Sequence, residues 1–353
     1  MHNRPKTLII LTPAFPANEE DSVWVPSKQL FVRKLKENFP SLKIIVLTFL
    51  YPQHTQSYSW RGIPVIPFNG MHARKFKRLL LWVRIWKKLS RLKKENNIIG
   101  LYSFWCGECA LVGKYFARWH KLKHFCWISG LDATKENHLI KYIRPKPAEL
   151  VAMSEFLVQE FKKNHGVTPK YIIPIGIDPL EFGEAPVQRD IDLLGTGSFN
   201  PFKQYDVFIQ IVKKLTQTFP DIKAVICGDG TERENLQKLI TGLQLGKNIT
   251  LIGIKPHTEA LQWMQRSKIF IHPSAYEGFG AVCLEALYAG AQVISFCDPM
   301  KINNNRWHIA KDPDNMYHIA LQLLNNPHPE FTPVLLYSMD DTAKLVMELF
   351  ETG

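Results

Sequence analysis

HPSAYEGFGAVCLEALYAG, residues 272–290, is the stretch from which the fold of this chain can be predicted. The apolar run before it, residues 268–271, is typical of a buried parallel strand. A loop with two glycines follows, and apolar residues then recur at helical spacing up to Gly290, a residue type that often ends helices. Because another apolar run occupies residues 292–296, the pattern predicts strand, loop, helix and strand, which is one βαβ unit.

Two glutamates lie around the start of this predicted helix. Glu277 is in the loop at the carboxyl end of the strand, and Glu285 is about two turns into the helix. Ligands of open α/β sheets bind at this end of the strands, and Gly278 and Gly280 allow a ligand to approach the backbone closely. The two carboxylates could therefore accept hydrogen bonds from sugar hydroxyls. A solvated glutamate on an exposed helix face fits the same spacing.

The stretch also resembles the donor site of retaining family 4 glycosyltransferases, which have the GT-B fold. The His-Pro-Ser lead-in, the Glu-Gly-Phe-Gly turn, the Leu-Glu-Ala segment and the closing Ala-Gly all match that motif. The resemblance implies that Glu277 contacts the donor sugar near the reacting carbon and that Glu285 holds the nucleotide ribose. It also implies that the loop formed by Gly278, Phe279 and Gly280 meets the diphosphate or the sugar through backbone amides.

A second loop of the same predicted domain follows the apolar run 191–195. Its glycines and the lysine near the next helix start suit a diphosphate. By resemblance, Lys203 is the phosphate-binding lysine of the family and stabilises the leaving diphosphate. Gly197 and Ser198 belong to the donor site and stand where the family usually has an arginine. A solvated lysine at a helix start is the alternative for Lys203.

The composition predicts a globular two-domain protein of 353 residues with 46% hydrophobic residues. No apolar run is long enough to span a membrane, and the N-terminus does not suggest a secretory signal, so a cytoplasmic location is expected. The six cysteines lie mostly in apolar runs, as reduced thiols do. The pair Cys106 and Cys109 lacks further ligands at zinc spacing, and no Asp-x-Asp pair marks a donor loop. We therefore expect no metal and no cofactor, the nucleotide sugar being a substrate.

Positive charge is concentrated in the first half of the chain. Residues 1–178 carry a net charge of +17, and residues 179–353 carry −5. Residues 74–94 contain ten basic residues, no acid, and apolar residues at helical spacing, including Phe76, Leu79, Leu80, Val83 and Trp86. A basic amphipathic helix of this kind is typical of a peripheral anchor on an anionic membrane. A helix packed on the sheet with a basic outer face is the alternative, and both can hold at once. Nucleic acid is not expected as a partner, since no recognised binding module accompanies the patch.

The first half also has polar residues where its predicted strands end. Trp105 follows the apolar run 97–102, and Ser129, Gly130 and Asp132 follow the run 124–128. Relatives of the resembled family often have a His-Gly-x-Asp-like turn at the second place, and this chain has Ser129 at the histidine position. The resemblance makes Trp105, Ser129 and Gly130 candidates for the acceptor side and Asp132 a candidate catalytic contact. A helix-capping role for Asp132 fits its position equally well.

Together these features predict a GT-B architecture, with two Rossmann-like α/β domains facing across a cleft. The expected boundaries are 1–180 for an acceptor-side domain, 181–335 for a nucleotide-sugar domain, and 336–353 for a helix that crosses back. The resemblance implies a metal-independent retaining glycosyltransferase that acts on a glycan or lipid-linked acceptor in surface polysaccharide or glycolipid synthesis. Two alternatives stay open: a sugar-nucleotide epimerase or hydrolase, and a non-catalytic relative that binds a partner glycosyltransferase.

Overall fold

The computed structural model describes residues 4–184, 188–302 and 304–351. These residues form two units, one running to Ile175 and including the helix from Met339 onward, the other running from Gly176 to Ser338. The sequence places the corresponding boundaries after residues 180 and 335. Residues 185–187, just after the first of these predicted boundaries, lie outside the described residues.

The first unit is built on an eight-stranded sheet in the order β3-β4-β2-β1-β5-β6-β7-β8. Only the pair β3 and β4 is antiparallel, and all other neighbours run parallel. The central strands are nearly continuous apolar runs because helices cover both faces of a parallel sheet. The strands are β1 (Lys6–Ala14), β2 (Lys43–Tyr51), β3 (Tyr58–Trp60), β4 (Ile63–Pro67), β5 (Asn97–Phe104), β6 (Lys123–Ile128), β7 (Leu150–Ala152) and β8 (Tyr171–Ile172).

The helices of this unit include the last helix of the chain. That helix packs against the first one, where Asn38 donates a hydrogen bond of 2.6 Å to Asp340. Near its end, the Phe350 ring lies 5.0 Å from that of Phe125. The helices are α1 (Pro26–Asn38), α2 (Phe76–Glu95), α3 (Glu108–His120), α4 (Ile140–Ile143) and α5 (Glu155–His165), with the last helix spanning Met339–Glu351.

The second unit has a six-stranded parallel sheet. Its strands are β9 (Ile191–Thr196), β10 (Ala224–Cys227), β11 (Ile249–Gly253), β12 (Ser267–His272), β13 (Gln292–Ser295) and β14 (Trp307–Ile309). Its helices are α6 (Tyr205–Leu215), α7 (Arg233–Gly242), α8 (His257–Arg266), α9 (Ala281–Tyr288) and α10 (Pro313–Leu324), so that the last helix of the first unit is α11. The predicted βαβ unit is confirmed as β12, α9 and β13.

The strand order of the second sheet, β11-β10-β9-β12-β13-β14, is the Rossmann order. From β9, the next strands of the chain are added toward one edge of the sheet, and from β12 they are added toward the other edge. Loops that leave these two neighbours at their carboxyl ends therefore separate and leave a crevice, which is where such sheets bind ligands. The predicted α/β fold class is confirmed, and the predicted donor loops follow these two strands.

Helix α2 packs on the first sheet with a narrower face than its apolar residues suggest. Leu81, Ile85, Leu89 and Leu92 are buried and join the core formed with β1 and β2. A second apolar stripe in the N-terminal half of the helix is 43–70% exposed; it consists of Phe76, Leu79, Leu80 and Val83. The helix itself is confirmed, but this stripe is not part of its packing face. Within the described residues, no helix is both long enough and apolar enough to cross a membrane.

Candidate functional site

The loops after β9 and β12 meet through one ion pair. Lys203 Nζ lies 2.7 Å from Glu277 Oε2, although the two residues are far apart in the sequence. The side chain of Lys203 is 21% exposed and that of Glu277 is 20% exposed, so both remain accessible to a ligand. Since β9 and β12 are the two strands at the reversal of strand order, this pair lies at the expected ligand-binding end of the sheet.

Local structure explains how Lys203 reaches Glu277. The Asn200 side chain accepts a hydrogen bond of 3.1 Å from the Phe202 amide and so caps a short 3-10 helix, Pro201–Lys203. Gln204 then adopts a left-handed conformation with φ 48°, which ends this turn before α6 begins. At Gly197, a Cβ atom would lie 3.0 Å from the Tyr205 hydroxyl and 3.8 Å from Lys203 Cε, so the glycine allows the backbone to pass close to both side chains.

Glu277 is held by two donors. Besides Lys203, the buried His272 contacts it, with Nε2 lying 3.0 Å from Glu277 Oε2. Burial alone would raise the pKa of Glu277, but the hydrogen bond from His272 and the charge of Lys203 outweigh burial and hold this pKa well below its usual range. The pKa of His272 is lowered, chiefly by its own burial, so that a neutral imidazole donates from Nε2 to an ionised carboxylate.

Glu285, the second carboxylate of the motif, has a histidine partner of its own. His257, the first residue of α8, places Nε2 at 2.9 Å from Glu285 Oε1. The other ring nitrogen, Nδ1, lies 3.9 Å from Oε2 of Glu181. The side chain of Glu285 is 16% exposed, so its carboxylate is fixed but still reachable.

The remaining predicted donor residues surround this arrangement. Gly280 has φ 80° and precedes α9, and a Cβ atom there would lie 3.6 Å from Glu277 Cγ. The first N–H groups of a helix have no partner within it and favour anions, so this helix start suits a phosphate. Gly278 and Phe279 are buried between these residues, while the exposed Ser198 accepts a hydrogen bond from the Asn200 side chain.

In the first unit, Asp132 forms an internal cap of its loop. It is 7% exposed, and Oδ2 accepts hydrogen bonds from the Ser129 amide at 2.8 Å and from Ser129 Oγ at 3.1 Å. Ser129 and Asp132 thereby form a capping box on the 3-10 helix Gly130–Ala133. Burial raises the pKa of Asp132 to about 6, although hydrogen bonds from Ser129 and from the Cys106 backbone oppose this shift.

A buried lysine lies beside this loop. Lys28 Nζ sits over the Trp127 ring at 3.5 Å from its centroid and lies 5.8 Å from the ring of the predicted acceptor-side residue Trp105. Lys28 is 5% exposed, and its Nζ has no hydrogen-bond acceptor among the residues that the structure describes. Burial lowers the pKa of Lys28 to about 7, while the nearby charge of Asp132 acts in the opposite direction.

The predicted site residues thus fall into two groups, one in each unit. Gly197, Lys203, Glu277 and Gly280 lie on the loops after β9 and β12 of the second unit, and Glu285 lies in α9. Trp105, Ser129, Gly130 and Asp132 follow β5 and β6 in the first unit. All six cysteines are free thiols. Across the described ranges, no group of three or more His, Cys, Asp or Glu side chains is placed to hold a metal ion.

The histidine partners of the two site carboxylates are not predicted from the sequence. His272 lies within the motif but has no predicted role there, and His257 lies outside it. A weak signal for His272 exists, since it ends β12 and so lies at the same sheet edge as the loop that follows. No comparable signal exists for His257, whose contact with Glu285 depends on how α8 and α9 pack.

Comparison with solved structures identifies the fold of the chain. The chain matches S. aureus TarM, solved as a mutant with fondaparinux, alpha-GlcNAc-glycerol and UDP, at a TM-score of 0.71 and 14% sequence identity, covering 99% of this chain and 100% of TarM. Identity this low shows the fold alone. The predicted GT-B fold is confirmed by this match and by the two parallel sheets.

The sequence comparisons match part of the chain to a family. Residues 179–302 match the family model of glycosyl transferases group 1, and the resemblance stated from the sequence is confirmed over these residues. The chain is 29% identical over 121 residues to the 2-deoxystreptamine N-acetyl-D-glucosaminyltransferase of Niallia circulans, covering 33% of this chain and 31% of that protein. It is 31% identical over 267 residues to the gpi3 subunit of the Schizosaccharomyces pombe phosphatidylinositol N-acetylglucosaminyltransferase, covering 72% of this chain and 58% of that subunit. The chain therefore spans less than two thirds of either relative.

Proposed function

We propose that this protein is a glycosyltransferase that moves a sugar from a nucleotide-sugar donor to a glycan or lipid-linked acceptor. The observation that carries the proposal is the 2.7 Å pair of Lys203 and Glu277 at the strand-order reversal of the second sheet. A cation can bind the diphosphate of a nucleotide sugar, and a carboxylate beside it can bind the sugar that is linked to that diphosphate. The group 1 family match of residues 179–302 supports the same activity.

The site residues have separate roles in this proposal. Lys203 and the start of α9 would bind the diphosphate and stabilise the charge that develops on it as the sugar leaves. Glu277 would hold the sugar hydroxyls near the reacting carbon, and Glu285 would accept hydrogen bonds from the ribose. Because these groups can stabilise the leaving diphosphate by themselves, we propose transfer without a metal, and with retention as in the resembled family.

The names of the relatives indicate which nucleotide-sugar donor to test first. Both named relatives are N-acetylglucosaminyltransferases by name, and the solved TarM complex contains UDP. We therefore propose a UDP-linked N-acetylhexosamine as the donor and UDP-N-acetylglucosamine as the first compound to test. The nucleotide sugar is a substrate in this scheme, and no cofactor takes part.

The exposed half of α2 supports a membrane-associated acceptor. Phe76, Leu79, Leu80 and Val83 are exposed, and the neighbouring basic residues Arg74, Lys75, Lys77, Arg84 and Lys87 are exposed as well. Apolar side chains among cations favour the surface of an anionic bilayer, to which each cation contributes about 1 kcal/mol. We propose that α2 holds the protein at the cytoplasmic face of a membrane, where it meets a lipid-linked acceptor for polysaccharide or glycolipid synthesis.

The donor proposal is tested by thermal stabilisation with UDP, GDP, ADP, TDP and UDP-N-acetylglucosamine. We expect the uridine compounds to raise the unfolding midpoint of the wild type and expect Glu285→Ala to abolish this rise. Glu234→Ala, which changes an exposed glutamate of α7, is the matched control and should keep the response. If no compound stabilises the wild type, the non-catalytic alternative is favoured. If UDP is released from the donor without any acceptor at the rate seen with acceptors, hydrolysis is favoured.

The membrane proposal is tested by flotation with vesicles of phosphatidylglycerol and phosphatidylcholine. The double variant Phe76→Ser, Leu80→Ser should lose most binding to the anionic vesicles. Arg84→Gln with Lys87→Gln should weaken binding at low salt and have a smaller effect at raised salt, where the charges are screened. Leu345→Ser is the control, since Leu345 is exposed to a similar degree on α11. Equal flotation of the wild type and the α2 variants would contradict this assignment without affecting the donor proposal.

A further inference from the structure

The two site carboxylates share a feature that the motif does not specify. Each has one oxygen within hydrogen-bond distance of a histidine Nε2: His272 lies 3.0 Å from Glu277 Oε2, and His257 lies 2.9 Å from Glu285 Oε1. The two histidines come from different elements, β12 and the start of α8. An ionised carboxylate can only accept, so each imidazole must donate from Nε2.

From this geometry we infer that His272 and His257 are positioning residues, each of which fixes one carboxylate of the donor site in the orientation that the donor requires. The inference rests on the proposed function, because it assigns the donor sugar to Glu277 and the ribose to Glu285. A free glutamate side chain samples several rotamers, and a bond to one oxygen removes that freedom before the ligand binds. The other oxygen of each carboxylate is then presented in a fixed direction.

The two histidines contact different parts of the donor site, so their loss should have different effects on ligand binding and turnover. His272 is 2% exposed and shares Glu277 with Lys203, so it belongs to the part of the site that handles the sugar and the diphosphate. His257 is 15% exposed, and its second nitrogen faces Glu181 at 3.9 Å. Glu181 ends a 3-10 helix, Pro179–Glu181, so the second ring nitrogen of His257 faces that turn.

A positioning role predicts different kinetic results for the two residues. Loss of the His257 donor should weaken the binding of the free nucleoside diphosphate, because the ribose contact of Glu285 is part of nucleotide binding. Loss of the His272 donor should leave free nucleotide affinity nearly unchanged and should lower the turnover of the nucleotide sugar. A misplaced contact at a reacting centre can cost about a hundredfold in rate, whereas a lost hydrogen bond to a charged group costs about tenfold in affinity.

The experiment compares leucine and glutamine at each position in the full chain. Calorimetry measures the affinity for UDP, or for whichever of GDP, ADP and TDP stabilises the wild type more, and product release from UDP-N-acetylglucosamine measures kcat and KM. We expect His257→Leu to weaken nucleotide binding about tenfold and His257→Gln, which keeps an N–H donor, to restore most of it. We expect His272→Leu to lower kcat at least tenfold with nucleotide affinity within about threefold of the wild type, and His272→Gln to recover part of kcat.

Several results would overturn the inference. If His257→Leu binds the nucleotide as the wild type does, or if His257→Gln binds as poorly as His257→Leu, His257 does not position Glu285. Because His272 is buried, long-range proton–nitrogen NMR of the wild type provides a test that does not depend on a folded variant. A His272 tautomer protonated at Nδ1 instead of Nε2 would exclude the bond to Glu277. If the wild type binds no nucleoside diphosphate, both the proposed function and this inference fail.

Discussion

In the first unit, Lys28 and Asp132 are buried near the carboxyl ends of β5 and β6. Lys28 is 5% exposed and Asp132 is 7% exposed. In the second unit, Lys203 and Glu277 lie on the loops after β9 and β12, with side chains 21% and 20% exposed. Both units place a lysine and a carboxylate at the same end of a mostly parallel sheet. In the first unit the two charges face the interior, whereas in the second they pair at a surface that a ligand can reach.

The pKa values reflect this difference. Burial lowers the pKa of Lys28 to about 7 and raises that of Asp132 to about 6, so both shift toward the neutral form. The pKa of Glu277 shifts the other way despite burial, because His272 and Lys203 stabilise its charge. A strongly held charge on a reachable carboxylate suits ligand binding. The buried pair of the first unit is better explained as a structural feature that fixes the loop.

The largest expected effect is a loss of enzymatic activity when the pair of Lys203 and Glu277 in the second unit is changed. Glu277→Gln should lower the turnover of UDP-N-acetylglucosamine at least about a hundredfold, because the amide keeps the size of the side chain but loses the charge that pairs with Lys203. Because the glutamine oxygen can still accept hydrogen bonds from His272 and Lys203, the free energy of unfolding should change by only about 1 kcal/mol. Turnover is followed by UDP release, and stability by urea unfolding. A normal rate, or a large loss of stability, would remove the distinction between the two units.

The next effect concerns stability in the first unit. Asp132→Ala removes the acceptor of the Ser129 amide and a negative charge that acts on Lys28. We expect a loss of about 3 kcal/mol in the free energy of unfolding, because buried polar groups are left without partners. Asp132→Asn keeps one acceptor oxygen and should lose less. If Asp132→Ala unfolds at the wild-type denaturant concentration but loses turnover, Asp132 is the catalytic contact predicted from the sequence.

The same contrast explains how much of the site could be predicted. The second unit follows from local signals: an apolar run, a glycine loop and a helix within residues 268–296 are enough to define β12, α9 and β13. Lys203 was predicted from the glycine loop after residues 191–195 and from its resemblance to the phosphate-binding lysine of the family. The contact between His257 and Glu285 was not found, since the packing of α8 against α9 brings these residues together and no periodicity encodes it.

In the first unit, prediction was limited by alternatives that only packing can separate. The apolar residues of α2 contain two overlapping helical stripes, one through Phe76, Leu80 and Val83 and one through Leu81, Ile85 and Leu89. Their spacing is equivalent, and contact with β1 and β2 buries the second stripe. Lys28 gave no sign of burial either, because a lysine in the first turn of a helix is usually solvated.

The smallest expected effect is a pH dependence of stability that belongs to the first unit. The folded pKa of Lys28 is about 7, below its ordinary value of 10.5, so the unfolded chain binds more protons between these values. Stability should therefore rise with pH above about 7, with a slope of at most about 1.4 kcal/mol per pH unit. Asp132 and Cys126 are the titratable groups whose charges act on Lys28, and Asp132, with a pKa of about 6, is ionised throughout this range.

Urea unfolding of the wild type and Lys28→Met at pH 7, 8 and 9 measures the effect as the difference between the two curves, in which other titrations cancel. Lys162→Met, at an exposed site on α5, is the control and should run parallel to the wild type. If Lys28→Met also runs parallel, Lys28 is solvated in solution, and the first unit presents its charges to solvent as the second unit does.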